Sequence, residues 1–365
     1  MPLFFELKSV IFSTAHTCRQ SKRSHMKLIT AFIITITLYI STPAMICAEE
    51  IIINAVGDIM LAGRWAGKIK KMGYDYPFAA VKNELADGDI NIANLESPLA
   101  RRGSEFTEKK FRFRAEPEVA PAIRKAGFNL VTLANNHSMD FGYAALEETM
   151  LNLEKSGVVW IGAGKNLDEA RKMVVYKVKG KKVAFLGYSL TQPVEFFATA
   201  GQGGTAPAVA GIYVKDIAAA RKEADYVIVS FHWGTEGKHL AHQGQVSVAH
   251  NAIDAGADVV IGHHPHVLQG LERYKKGVIF YSLGNFVFAS SSKTSKTSAI
   301  VKLRLSDTAR EAEIVPLDVL NRRVNFQPKL LTGEDAAGVI SDLNSYSRPH
   351  KTVIEDRNGR YYVKF

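Results

Sequence analysis

Short apolar runs closed by polar residues recur along the chain. The first, Ile51-Ile52-Ile53-Asn54-Ala55-Val56, is β-branched enough to predict a buried strand, and it ends in Gly57-Asp58. Five more strands are expected over 90–93, 129–133, 226–231, 258–261 and 278–282. They lead into Asn94-Leu95-Glu96, Asn135-Asn136-His137, His232-Trp233-Gly234, Gly262-His263-His264-Pro265-His266 and Gly284-Asn285 respectively.

Helical spacing separates several of these strands. Leu146, Met150 and Leu153 mark a helix over 143–156, with Gly157 as its stop signal. Shorter helices are expected over 245–255, before Gly256, and over 117–125, before Gly127. Residues 191–211 and 290–298 read as loops. Beyond 302–305 the chain turns alternating and polar, with strands expected over 315–319 and 361–365. Continuous apolar strands alternating with helices predict an α/β fold with covered sheets. Sites in such folds form at the carboxyl ends of strands, where the polar strings fall.

The 365 residues are 47% hydrophobic and 22% charged, which excludes a disordered chain. The formal charge is +10, but five basic residues and one acid lie in the first 48 positions. The excess left over suits an anionic substrate. No basic run carries interleaved aromatics, so nucleic acid is not expected as a partner. Both cysteines, Cys18 and Cys47, lie in the same first 48 residues, so a metal in the remainder would need His, Asp, Glu or Asn.

Met26-Lys27 opens an export pattern. An apolar core over 28–40 is broken by Ser41-Thr42-Pro43, and small residues lead to Ala48. Residues 1–48 are therefore expected to be a leader, either cleaved after Ala48 or kept as a membrane anchor. The protein is expected at the periplasmic or extracellular face.

His264-Pro265-His266 is the sharpest chemical signal. In an extended chain, side chains at i and i+2 point the same way, so both imidazoles can face a metal; two surface histidines in a turn are the alternative. Asp58 suits a divalent ion, but alone it reads more readily as a turn former or helix cap. Glu96 offers a bridging carboxylate or a salt-bridge partner. Asn136 offers a neutral oxygen and His137 a general acid, although both are common in turns. A lone His232 is more often a core residue. Together these groups suit a site for two metal ions, with manganese, zinc and iron all acceptable. Arg112 and Arg114 alternate with phenylalanines, so they would share a strand face and could pair with anions. Arg64, close after Asp58, is a further anion-binding candidate.

Val56-Gly57-Asp58-Ile59-Met60-Leu61, Asn94-Leu95-Glu96-Ser97-Pro98-Leu99, the string from Ala134 to Gly142, His232-Trp233-Gly234-Thr235-Glu236 and the run from Gly256 to Gly270 resemble the CapA-type poly-γ-glutamate capsule proteins. Tyr281-Ser282-Leu283-Gly284-Asn285-Phe286-Val287-Phe288 completes the match over 51–290. That family is similar to the calcineurin-like metallophosphoesterases. The resemblance implies a four-layer αββα sandwich of the metallo-dependent phosphatase type, with two mixed sheets flanked by helices. It implies Asp58, Glu96, Asn136, His232, His264 and His266 as metal ligands, with Asn94 the alternative to Glu96 at the bridging position, and His137 as the catalytic acid. Asn94, Glu236, His263 and Asn285 join Arg64, Arg112 and Arg114 as substrate contacts. Two departures stand out: Met60 replaces a usual histidine, and Asn94-Leu95-Glu96 replaces a usual Gly-Asp.

The expected organisation is a leader over 1–48, a CapA-like domain over 49–320 and a C-terminal extension over 321–365. The expected function is an exported metal-dependent hydrolase of poly-γ-glutamate capsule metabolism, with the anionic polymer and membrane capsule-synthase subunits as partners. Two rivals are a non-catalytic polymer-binding subunit and a general exported metallophosphoesterase.

Overall fold

In the computed structural model, residues 49–290 and 292–365 are described, apart from the Arg64 side chain. The leader expected over 1–48 lies outside the described residues. Among the described residues no helix is long and apolar enough to cross a membrane.

All six apolar runs form strands, and they divide between two mixed sheets. The larger runs through Glu355–Arg357, Arg360–Lys364, Arg310–Asp318, Thr297–Leu305, Ile51–Met60, Ile90–Leu95, Leu130–Thr132 and Val159–Ile161, with Asn285–Phe288 also pairing with Ile51–Met60. The smaller runs through Leu271–Tyr274, Gly277–Phe280, Val259–His263, Tyr226–His232, Lys181–Ser189 and Val174–Val178.

Period-two alternation along Ile51–Met60 explains the layering. Ile51, Ile53 and Ala55 face Ile228, Val259 and Ile261 of the other sheet. Val56 and Ile59 face the opposite way, towards Ile123 of the Val119–Lys125 helix and Leu146 and Leu153 of the Gly142–Lys155 helix. On the far side, Val227, Val229 and Phe231 pack against Tyr213 and Ile217 of the Ala210–Glu223 helix and Ala249 and Ala252 of the Gln243–Ala255 helix. Helices, sheet, sheet and helices form four layers, so strands covered on both faces need no polar residues until their ends.

The Ala210–Glu223 helix begins inside the expected 191–211 loop, and Gly204–Thr205 there forms a short strand with Ala163–Gly164. Residues 321–365 are built into the sandwich. Arg360–Lys364 pairs with Arg310–Asp318, and the Gly333–Ser347 helix places Val339, Ile340 and Leu343 in the core between the sheets.

Candidate metal centre

Three parallel strands of the larger sheet and two of the smaller end at one edge of the sandwich. Asp58 sits at a break in strand register, where Asp58 pairs with Asn285 but Ile59 pairs with Val287. Such a bulge re-aims a side chain. Its neighbour Gly57 is required by close packing: a Cβ there would lie 1.9 Å from the Gly284 carbonyl oxygen.

Glu96 is the hub. Its Oε1 lies 3.5 Å from His266 Nε2 and 3.8 Å from His232 Nε2. Asp58, Glu96 and His266 form one compact group of potential ligands, and Glu96, His232 and His264 form another, each with donor atoms within 4.8 Å. The two groups share only Glu96. Asn136 turns its Oδ1 towards His232 Nε2, at 2.8 Å. Exposed Glu236 forms a third group with His264 and His266 at the cleft mouth.

His264 and His266 reach the site from an unexpected backbone. Both have left-handed φ values, 95° and 57°, in place of the extended geometry that i, i+2 spacing implied. Left-handed histidines are uncommon, and such strain concentrates at functional sites. The two rings still approach to 5.9 Å between centroids.

Burial and mutual contact govern the electrostatics of this group. Burial pushes the Glu96 carboxyl well above its usual range. Burial would raise Asp58 too, but hydrogen bonds with His263 and His266 outweigh it and hold that carboxyl well below its usual range. Burial also acts against a charged His266, yet Glu96 and Asp58 raise it to about 10. Burial, reinforced by His266, lowers His264 to about 3, and burial drives His232 well down. Among the described residues four buried side-chain atoms have no hydrogen-bond partner, and two of them, Glu96 Oε1 and His264 Nδ1, belong to this group. Leaving such atoms unsatisfied is costly. A divalent cation would satisfy both, so the residues fit the implied metal.

His137 stands beside this centre with its ring 4.7 Å from that of Phe113. Its Nδ1 donates to Asp140 Oδ2 at 2.6 Å. Lys109 Nζ donates to Asp140 Oδ1 at 2.5 Å and to the Asn136 carbonyl. Burial lowers both His137 and Lys109, against the pull of Asp140. Asp140 and Lys109 were not among the expected site residues. Asp140 was readable as the last member of a His-x-x-Asp spacing, whereas Lys109 comes from a loop with no signal of its own.

The expected substrate contacts fall in different places. Asn94 is fully buried behind the carboxylates, donating to Asp58 Oδ1 at 2.9 Å and Glu96 Oε2 at 3.0 Å. His263 is equally buried, with Nδ1 3.1 Å from Asp58 Oδ1. Both are packed against the buried carboxylates and line neither of the cavities beside them. Arg112 and Arg114 lie on no strand. Arg112 pairs with Glu105 at 2.7 Å, and Arg114 covers the Phe141 ring at 4.1 Å. The segment is pinned as a loop by Phe113 N–H donating to Asp140 Oδ2. Arg64 lies in the short turn Gly63–Trp65, with its side chain outside the description. Asn285 does reach the centre, its Oδ1 2.9 Å from His266 Nδ1.

Cavities flank the centre. One of about 390 Å³ is lined by His137, Glu236, His266, Asn285 and Phe288. Another, of about 430 Å³, lies on the Asn136 and His264 side.

Comparison with known proteins gives the family. The family model described as bacterial capsule synthesis protein PGA_cap matches residues 52–290. The chain is 34% identical over 279 residues to the capsule biosynthesis protein CapA of Bacillus anthracis, covering 74% of this chain and 68% of that one. It is 34% identical over 285 residues to the PGA biosynthesis protein CapA of Bacillus subtilis, covering 76% of this chain and 74% of that one. Among solved structures, the NAD nucleotidase of Haemophilus influenzae is a distant likeness, with 13% identity, a TM-score of 0.45 and coverage of 82% of this chain and 63% of that one. Motifs, layered architecture and sequence similarity agree: the chain belongs to the PGA_cap family of bacterial capsule synthesis proteins.

Proposed function

We propose that this protein is an exported, metal-dependent hydrolase of poly-γ-glutamate capsule metabolism. The observation that carries the reading is Glu96, one buried carboxylate common to two groups of ligand side chains. When bound there, two divalent ions would supply an activated water and charge to hold an oxyanion. Manganese, zinc and iron all suit oxygen and imidazole donors.

The chain's own residues do the rest. Asp58, Glu96, Asn136, His232, His264 and His266 would hold the ions, with Asn94 and His263 orienting the carboxylates. Asp140 holds the Nδ1 proton of His137, which leaves Nε2 free to take the proton released by the attacking water and pass it to the leaving group. In hydrolysis of a γ-amide the departing nitrogen needs that proton. Phe113 and Phe288, on the cavity wall, shield the reacting unit from bulk water.

The test is elemental analysis of the purified protein, with hydrolysis assays on γ-linked glutamyl polymer and on small phosphate esters. About two divalent ions per chain and chelator-sensitive polymer cleavage are expected. Metal-free protein with full polymer cleavage overturns the metal role. Polymer binding without cleavage favours a non-catalytic subunit, and turnover of phosphate esters alone favours a general phosphoesterase.

A further inference from the structure

A further pocket, of about 330 Å³, adjoins the cavity lined by His137 and His266, and the two share Ser290 and Ser292 as lining. Three exposed cations, Lys68, Lys293 and Arg322, line it, and no carboxylate does. None of the three has an ion-pair partner among the described residues. The adjacent Arg323 is neutralised by Asp318 at 2.7 Å, so the local backbone does not dictate unpaired charge.

This pocket is built and tied to the centre. Lys68 Nζ donates to Asn325 Oδ1 at 2.6 Å and sits 5.2 Å from the Phe326 ring, which in turn packs 5.1 Å from Trp65. Asn325 and Phe326 are consecutive left-handed residues, with φ of 51° and 65°. A phenylalanine in that region is a marked outlier, and strain of this kind persists only where its surroundings enforce it. Asn321 Nδ2 donates to the Phe288 carbonyl at 2.6 Å and to the Ser290 carbonyl at 2.8 Å. Phe288 packs 4.7 Å from His266, and the strand it ends begins at Asn285. A continuous piece of backbone therefore runs from the metal centre to the rim of the cationic pocket.

We propose that this pocket is a polycarboxylate subsite. A polyanion held at the metal centre passes over Ser290 and Ser292, and its onward carboxylates settle among Lys68, Lys293 and Arg322. The inference rests on the polymer reading above and names where the chain goes. Unpaired cations without local acids favour an anion with repeated charges over a single small ester. The serine hydroxyls between the two cavities suit the amide groups of a polymer backbone.

The test is fluorescence anisotropy with the full-length protein and two labelled probes, a γ-linked glutamate dimer and a long γ-glutamyl oligomer. Wild type is expected to bind the oligomer about tenfold more tightly than the dimer, a gain that high salt removes. The double variant K293Q/R322Q loses that gain, and K293E alone reverses part of it. Both positions are exposed, and an unchanged melting temperature confirms folding. Equal oligomer affinity in wild type and K293Q/R322Q overturns the subsite while leaving the polymer reading intact. Failure of wild type to bind either glutamyl probe overturns the polymer reading itself. Inorganic polyphosphate competing more strongly than the oligomer overturns carboxylate as the ligand.

Discussion

The carboxylate of Asp140 lies 2.6 Å from Nδ1 of His137, inside a wall closed by the Phe113 ring. This contact sets the imidazole's orientation and tautomer. In the Asp140→Asn variant, kcat on polymer is expected to fall roughly 10- to 100-fold, with KM and metal content little changed. Kinetics and elemental analysis on the same preparation check this. Loss of metal along with activity would instead make Asp140 a support for the ligand strand.

Glu96→Gln separates the cost of the buried carboxyl from its use. Burial opposes the charged form of Glu96 while His266 favours it, so in chelated protein the two effects offset and the variant should melt close to wild type. Added metal should stabilise wild type by about 2.7 kcal/mol at a hundredfold excess over Kd and the variant far less. Calorimetry with and without chelator measures both differences.

Gly57→Ala tests the packing that aims Asp58. The new methyl would overlap the Gly284 carbonyl oxygen, so backbone must move. A loss of roughly 1–3 kcal/mol is expected, accompanied by weaker metal binding because Asp58 moves too. Denaturant unfolding and metal titration read the two effects.

A pH-sensitive element lies away from the centre. Burial would raise Glu272, but hydrogen bonds with His350, Tyr281 and His250 hold its carboxyl down at about 2. A depressed folded-state value means this carboxylate stabilises the fold above its ordinary value of 4.5, and the contribution fades as pH falls from there towards 2. Allowing for solvent screening, it amounts to about 1–2 kcal/mol. Glu272→Gln should therefore lower stability at neutral pH and converge with wild type near pH 2, as followed by urea unfolding across that range.

The strand-end rule made Asp58, Glu96 and His232 legible, because each follows an apolar run that only a doubly covered strand explains. The His-Pro-His pair was legible in its outcome but not in its backbone, since positive φ at histidine has no sequence mark. The arginines of 112 and 114 misled because alternation alone cannot distinguish a strand from a loop whose aromatic packs inward. The strand Lys181–Ser189 and the helix Ala210–Glu223 carry readable patterns, Tyr213, Ile217 and Ala220 among them, and went unassigned. Lys109 was not legible at all: its contacts with Asp140 and Asn136 exist only once two distant loops meet.

The strand bearing Asp58 pairs on one side with Thr297–Leu305, far along the chain from it. Long-range pairing of this kind slows folding, because loop closure precedes any reward from contact. The cleft therefore cannot exist on a partly emerged polypeptide. Ligand capture would then be among the last events of its maturation.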